Sequence, residues 1–182
     1  MRRIMTTIIV TPLLIAAAGC SEVEPAAETT TTTPDSGWLL AAAPDGAVSV
    51  TEAKASASEG EPIVLLARVG GRKAPLNEGS AVFTVMDLAI PHCGDNPNDA
   101  CRTPWDYCCE TPGTITANSA TIQVLGADGQ PISESPATQG VAPLDEVIVV
   151  GTVAPRPSEQ VLTVRATGIY RMPAKAPTIS LP

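Results

Sequence analysis

The chain has 182 residues, with 18 prolines, 14 glycines and only 3% aromatic residues, a composition that favours short elements joined by turns over long helices. Its formal net charge of −8 works against binding of nucleic acid or anionic headgroups, since both require a basic surface. There is one histidine, His92, and neither a nucleophile motif nor a glycine-rich phosphate loop, so the sequence is read as non-catalytic and without a cofactor.

The chain opens with Arg2 and Arg3, followed by an apolar run through Ile8, Ile9, Val10, Leu13, Leu14 and Ile15 and then by Ala16-Ala17-Ala18-Gly19-Cys20. A basic start, an apolar middle and a small-residue cleavage site describe a signal peptide over residues 1–19. The apolar run falls short of the ~20 residues that span a bilayer, so cleavage is expected rather than a permanent helix. Ala17-Ala18-Gly19-Cys20 resembles a bacterial lipobox, which implies lipid attachment at Cys20 and a membrane as partner. Ser21, where an aspartate would retain such a protein at the inner membrane, points to the outer membrane and a domain facing the periplasm. The alternative is ordinary secretion with Cys20 as a bystander. Residues 20–37 include five consecutive threonines at 29–33 together with Pro25 and Pro34, which cannot build a core and read as a disordered tether. Without Arg2 and Arg3 the 11 basic residues fall to 9 against 19 acidic ones, and the mature charge becomes −10.

Residues 38–174 are read as one β-domain, with 175–182 as a tail. Ser49 and Glu52 have capping-box spacing and predict a short helix through Ala57. Strands are expected over residues 63–69, 81–89, 114–125, 146–153 and 161–170, each rich in β-branched residues and bounded by turn formers. Leu162, Val164 and Ala166 alternate with Thr163, Arg165 and Thr167, giving one buried and one wet face. Gly151 inside the fourth strand predicts a bulge. Aromatics are few, so the core should consist of Val, Ile, Leu and Ala. The segments Glu61-Pro-Ile-Val-Leu-Leu-Ala-Arg-Val-Gly, Ala81-Val-Phe-Thr-Val-Met-Asp-Leu, Val147-Ile-Val-Val-Gly-Thr-Val and Leu162-Thr-Val-Arg-Ala-Thr-Gly-Ile-Tyr resemble the strands of exported OB-fold-like bacterial proteins. The expected fold is all-β: a small five-stranded, antiparallel, OB-like barrel with a cysteine-stapled insertion between its second and third strands. Residues 133–144 hold Pro136, Gly140 and Pro143, so the helix that OB-folds carry between the third and fourth strands is not expected, and a loop would have to plug the barrel.

The insertion reads His92-Cys93-Gly-Asp-Asn-Pro-Asn-Asp-Ala-Cys101-Arg-Thr-Pro-Trp105-Asp-Tyr107-Cys108-Cys109-Glu110. Its Pro-Trp-Asp-Tyr-Cys-Cys string is similar to one in uncharacterised small exported bacterial proteins, a resemblance that implies no activity. Four cysteines in an oxidising compartment read first as two disulfides. Adjacent cysteines are ~3.8 Å apart at Cα, too close for an easy bond, so Cys93 and Cys101 are each expected to bond one of Cys108 and Cys109. The alternative is a zinc or copper(I) site using His92, Cys93, Cys101, Cys108 and Cys109. Asp95, Asn96, Asn98 and Asp99 form an oxygen-rich set that suits calcium or a turn, without the glycine and glutamate of an EF-hand loop. Trp105 and Tyr107, two residues apart, are expected to cover the disulfides or cap the barrel's open end; if exposed, they would form a ligand surface for a glycan or peptide, with an envelope protein or glycan as partner.

These readings lead to a lipid-anchored, non-catalytic β-barrel module of the cell envelope with a structural or ligand-binding role. The alternative is a periplasmic metal-binding or redox protein working through residues 93–109.

Overall fold

The structure is a computed structural model that describes residues 37–174 apart from 97 and 99. The signal peptide, the lipid site at Cys20 and all but the last residue of the tether lie outside the described residues, which add no support to the lipoprotein and membrane readings. Among the described residues no helix is long and apolar enough to cross a membrane.

Helix α1 (Val50–Ser56) forms where the capping box predicts. The Ser49 hydroxyl accepts from the Glu52 amide at 3.2 Å, and a Glu52 carboxylate oxygen accepts from the Ser49 amide at 2.9 Å. Strands β1 (Pro62–Val69) and β2 (Val82–Met86) follow, then the insertion, helix α2 (Pro112–Asn118) and strands β3 (Ser119–Val124), β4 (Glu146–Val153) and β5 (Thr163–Arg171). The strands close into a barrel in the order β1-β2-β3-β5-β4.

The expectation of a purely antiparallel barrel is corrected here. β3 and β5 run parallel, with Thr121 opposite Thr163 and Val124 opposite Ala166, while the other neighbours are antiparallel. The barrel is therefore mixed and OB-like. Closing five strands with an excursion after β2 and a crossover from β3 to β4 sets β5 alongside β3 in the same sense, which no strand's own residue pattern records.

Helix α2 is a second departure, since residues 114–118 read as strand from their β-branched content. Two local signals override it. Pro112 occupies the first turn, where its missing N–H costs nothing, and the Thr111 hydroxyl accepts from the Thr114 amide at 3.1 Å. The strand begins only at Ser119.

Alternation fills the barrel. Ile63, Leu65, Ala67 and Val69 of β1 point inward, as do Ala120, Ile122 and Val124 of β3. Phe83 and Trp38 are the two rings among these mostly aliphatic side chains. The bulge falls near the predicted glycine, but the extra residue is in β5: Val150 pairs with Gly168 and Gly151 with Ala166, leaving Thr167 over. A Cβ on Gly151 would collide with the Arg165 carbonyl. Adding one residue shifts the inward set from Val164 and Ala166 to Ile169, the parity change that a bulge imposes. Between β3 and β4 only a 3₁₀ turn (Pro136–Gln139) forms, ended by left-handed Gly140, and Val141 behind it joins the core at 1% exposure.

Candidate metal centre

The insertion leaves the barrel at Asp87 and returns through α2. Its two ends are tied by the Asp87 amide donating to the Asn118 carbonyl at 2.8 Å. Within it, two 3₁₀ turns, Cys93–Asp95 and Pro104–Asp106, carry the chemistry.

Docking is through the end of β1. The Gly71 amide donates to the Trp105 carbonyl at 2.8 Å, and the Trp105 indole N–H donates to the Lys73 carbonyl at 3.1 Å. Gly70 has no room for a side chain: a Cβ there would lie 2.7 Å from the Trp105 oxygen and 3.0 Å from the Tyr107 ring. Tyr107 is fully buried at 0% exposure, so it anchors the insertion and presents no ligand surface, while Trp105 is half-buried. Burial raises the Tyr107 phenol above its ordinary range, partly offset by the nearby Arg68 charge. Arg68 in turn makes a 3.1 Å ion pair with Glu146.

Tyr107 adopts the left-handed conformation, φ 56° and ψ 36°. For a residue with a Cβ this costs about 1–2 kcal/mol, and burial of the ring offsets it. The result is a tight reversal that brings its two sequence neighbours, Asp106 and Cys108, together. The Asp106 carboxylate accepts from the Cys108 amide at 2.9 Å and from the Thr103 hydroxyl at 2.7 Å. Burial works against the charged carboxylate, but these hydrogen bonds and the Lys73 charge outweigh it and hold Asp106 below the usual carboxylate range.

The donor atoms of Cys93, Cys101, Cys108 and Asp106 all lie within 4.8 Å of one another. Cys93 Sγ is 3.6 Å from Cys108 Sγ, and Cys101 Sγ is 3.5 Å from it. Thiolates bound tetrahedrally at ~2.3 Å from zinc stand ~3.8 Å apart, so these separations are close to those of ligands around one cation. Cys109 Sγ lies 3.0 Å from Cys93 Sγ. No disulfide joins the four cysteines. Even the 3.0 Å pair is far beyond a ~2.05 Å sulfur–sulfur bond, and the cysteine-stapled insertion, with its expected pairing of Cys93 and Cys101 to Cys108 and Cys109, is withdrawn. The physical reason is convergence: Cys93 and Cys101 both approach Cys108, so the sulfurs form a cluster and not two separate pairs.

Protonation within the cluster is uneven. Burial raises the Cys93 thiol, but hydrogen bonds from Cys109, Cys108 and Cys101 outweigh it and bring the thiol below its ordinary value. Cys108 is pushed well above its own by the bonds it shares with Cys101, Cys93 and Asp106.

His92 is drawn out of the proposed ligand set. Its Nδ1 accepts from the Gly94 amide at 3.0 Å, and its Nε2 lies 3.2 Å from an Asp95 carboxylate oxygen, so both nitrogens serve the cap of the first 3₁₀ turn. Asp95 returns the contact by accepting from the His92 amide at 3.0 Å. The Asn96 side chain likewise accepts from the Asn98 amide at 3.0 Å. These oxygens of the calcium-like set are turn formers, and Asp99 lies outside the described residues. Asp106 is the potential donor that sequence reasoning missed. It sits inside the Pro-Trp-Asp-Tyr-Cys-Cys string, two residues before Cys108, but no spacing rule separates it from a turn aspartate. Only the left-handed Tyr107 makes it a neighbour of three sulfurs.

No family model, curated protein or solved structure matches the chain.

Proposed function

We propose that this protein is a non-catalytic, metal-binding β-barrel module in which Cys93, Cys101, Cys108 and Asp106 hold one zinc ion. The observation that carries the reading is the convergence of three sulfurs and a carboxylate oxygen within 4.8 Å of one another. Sulfur donors disfavour calcium and magnesium, which take oxygen. A set of three thiolates and one carboxylate suits borderline zinc better than copper(I), which prefers soft donors throughout. Four protein ligands leave no open position of the kind catalytic zinc keeps for water, which supports a binding role over hydrolysis.

Cobalt(II) substitution tests this directly. The reduced, metal-free protein titrated with cobalt should reach saturation at one ion per chain, with thiolate-to-metal charge-transfer bands and tetrahedral d–d bands. Cys101→Ser should weaken zinc binding by about 100-fold or more, at or beyond the upper end of what outer-shell changes cost. A reduced wild-type protein that develops neither band nor stoichiometric binding would overturn the reading.

A further inference from the structure

The four-donor cluster leaves Cys109 without a role. Its sulfur touches the cluster through Cys93 at 3.0 Å, yet it stands outside the set whose atoms are mutually within 4.8 Å. That 3.0 Å separation is also shorter than the ~3.8 Å between two thiolates sharing one tetrahedral cation. As placed, Cys109 can replace a ligand but not join the four. Exposure grades across the same sulfurs: Cys93 is buried, Cys101 half-buried, and Cys108 and Cys109 are exposed. Cys93 and Cys109 together border a surface pocket of about 280 Å³, whose other walls include Asp95 and Glu110. A cation entering there meets two carboxylates, then Cys109 and Cys93, before it reaches the remaining donors. Cys93 belongs to both the pocket and the cluster, so it links the two.

On the metal-binding reading above, we infer that Cys109 is the exchange ligand of this site, the sulfur through which the ion enters and is handed to an acceptor bearing soft donors. The ion is then cargo and not a permanent staple.

The step balances without redox change. The Cys109 thiol hands its proton to the Cys93 sulfur 3.0 Å away as its own sulfur bonds the ion and the Cys93 bond breaks. The Asp106 carboxylate stays on the ion and keeps its hydrogen bonds from Thr103 and the Cys108 amide, so the ion still has four ligands and the charge is unchanged. Held then by Cys101, Cys108, Cys109 and Asp106, the ion has left the buried sulfur, and an incoming thiolate or amine displaces these ligands in turn, each released thiolate taking a proton from water. Loading runs in reverse, with water leaving the ion.

The experiment uses the full chain, reduced and loaded with one equivalent of zinc, mixed in a stopped-flow instrument with an excess of a chromophoric zinc chelator. Cys109→Ser should slow transfer by about tenfold or more, equivalent to about 1.4 kcal/mol in the barrier. Its zinc affinity by competition should stay within about threefold of wild type, less than 1 kcal/mol. The intensity of its cobalt charge-transfer band should match wild type, because three thiolates remain. Cys109 is exposed, so the replacement leaves the core intact. Transfer at the wild-type rate would overturn the inference and leave the metal site standing. A weaker cobalt band with a large loss of affinity would also overturn it, by making Cys109 a resident ligand. If the wild-type chain holds no cation at all, the metal reading fails first and the exchange role fails with it.

Discussion

The barrel and the cysteine insertion achieve order by different means. The barrel buries alternating aliphatic side chains from all five strands, and its hydrogen bonds run between strands. Among its described residues the insertion contains no strand, and Cys93 and Tyr107 are its buried hydrophobic residues. Its geometry rests on turn caps, one left-handed residue and docking against the Gly70-Gly71 backbone. Burial of many apolar groups gives a cooperative unit that does not need any one contact. A short segment with few buried groups depends on each one, and it gains most from a ligand that ties its ends together.

The largest effect should come from the barrel. Phe83→Ala removes a buried ring from the barrel core, where exposure is 2%, and should cost about 3–5 kcal/mol in urea-monitored unfolding. Metal binding should decline with the fold, because the docking ledge at the end of β1 goes with it. A variant that unfolds the barrel yet keeps full cobalt affinity would break the claim that the barrel carries the insertion.

Zinc itself should come next and sharpen the contrast. Free zinc at 100 times its dissociation constant stabilises the native state by about 2.7 kcal/mol through linkage. Hydrogen exchange should place the added protection in residues 92–110 and not in the strands, since the ligands all lie in that interval. Uniform protection across β1 and β4 would contradict the division into two regions.

Gly70→Ala is expected to have a smaller effect of about 1–3 kcal/mol, through steric conflict with a neighbouring backbone. The new Cβ would meet the Trp105 carbonyl at 2.7 Å, and the insertion must move away. Trp105 emission should shift to the red and cobalt affinity should fall, while far-ultraviolet dichroism stays close to wild type. Unchanged emission would show that docking tolerates the collision.

This same division explains what was legible in the sequence. Strands β1, β4 and β5 were legible as runs of β-branched residues bounded by turn formers, β5 also by a two-residue period that maps onto inside and outside, and the Ser49–Glu52 spacing announced α1. The parallel pairing of β3 with β5 was not legible, because it is a property of the path between strands and not of either strand. Helix α2 was hidden by Thr114, Ile115 and Thr116, whose β-branching outweighed the Thr111-Pro112 start signal. At the site, the cysteines were visible by type, but their chemistry was misread from their number. Four thiols suggested two bonds, whereas the turn at Tyr107 gathers them and adds Asp106, and a left-handed tyrosine has no sequence signature. His92 was nominated for its element-binding chemistry, and its caps to Gly94 and Asp95 removed it.

The smallest effect is at the seam between the regions, where Asp87 leaves β2 with 2% exposure. Its carboxylate accepts from the Thr51 amide at 2.9 Å, the Thr51 hydroxyl at 2.8 Å and the Ala89 amide at 2.9 Å, so it faces the first turn of α1 as an anion. Burial opposes the charge, but these donors outweigh it and hold the folded carboxyl below its ordinary value. A lowered folded value means that the group stabilises the protein above the unfolded pKa, near 3.9, and that this contribution fades as pH falls toward and through the folded value. Asp87→Asn keeps an acceptor oxygen but removes the charge at the helix start, which should cost about 0.3–1 kcal/mol at pH 7. The difference between the variant and wild type should shrink below about pH 4, where wild type also loses the anion. Thermal midpoints of both proteins measured from pH 7 to pH 3 would check this, and a gap that widens in acid would show that the Asp87 charge destabilises the seam. Cobalt affinity at pH 7 should stay at the wild-type level, because Asp87 shares no hydrogen bond with the four ligands and the insertion docks through Gly70, Gly71 and Tyr107 instead.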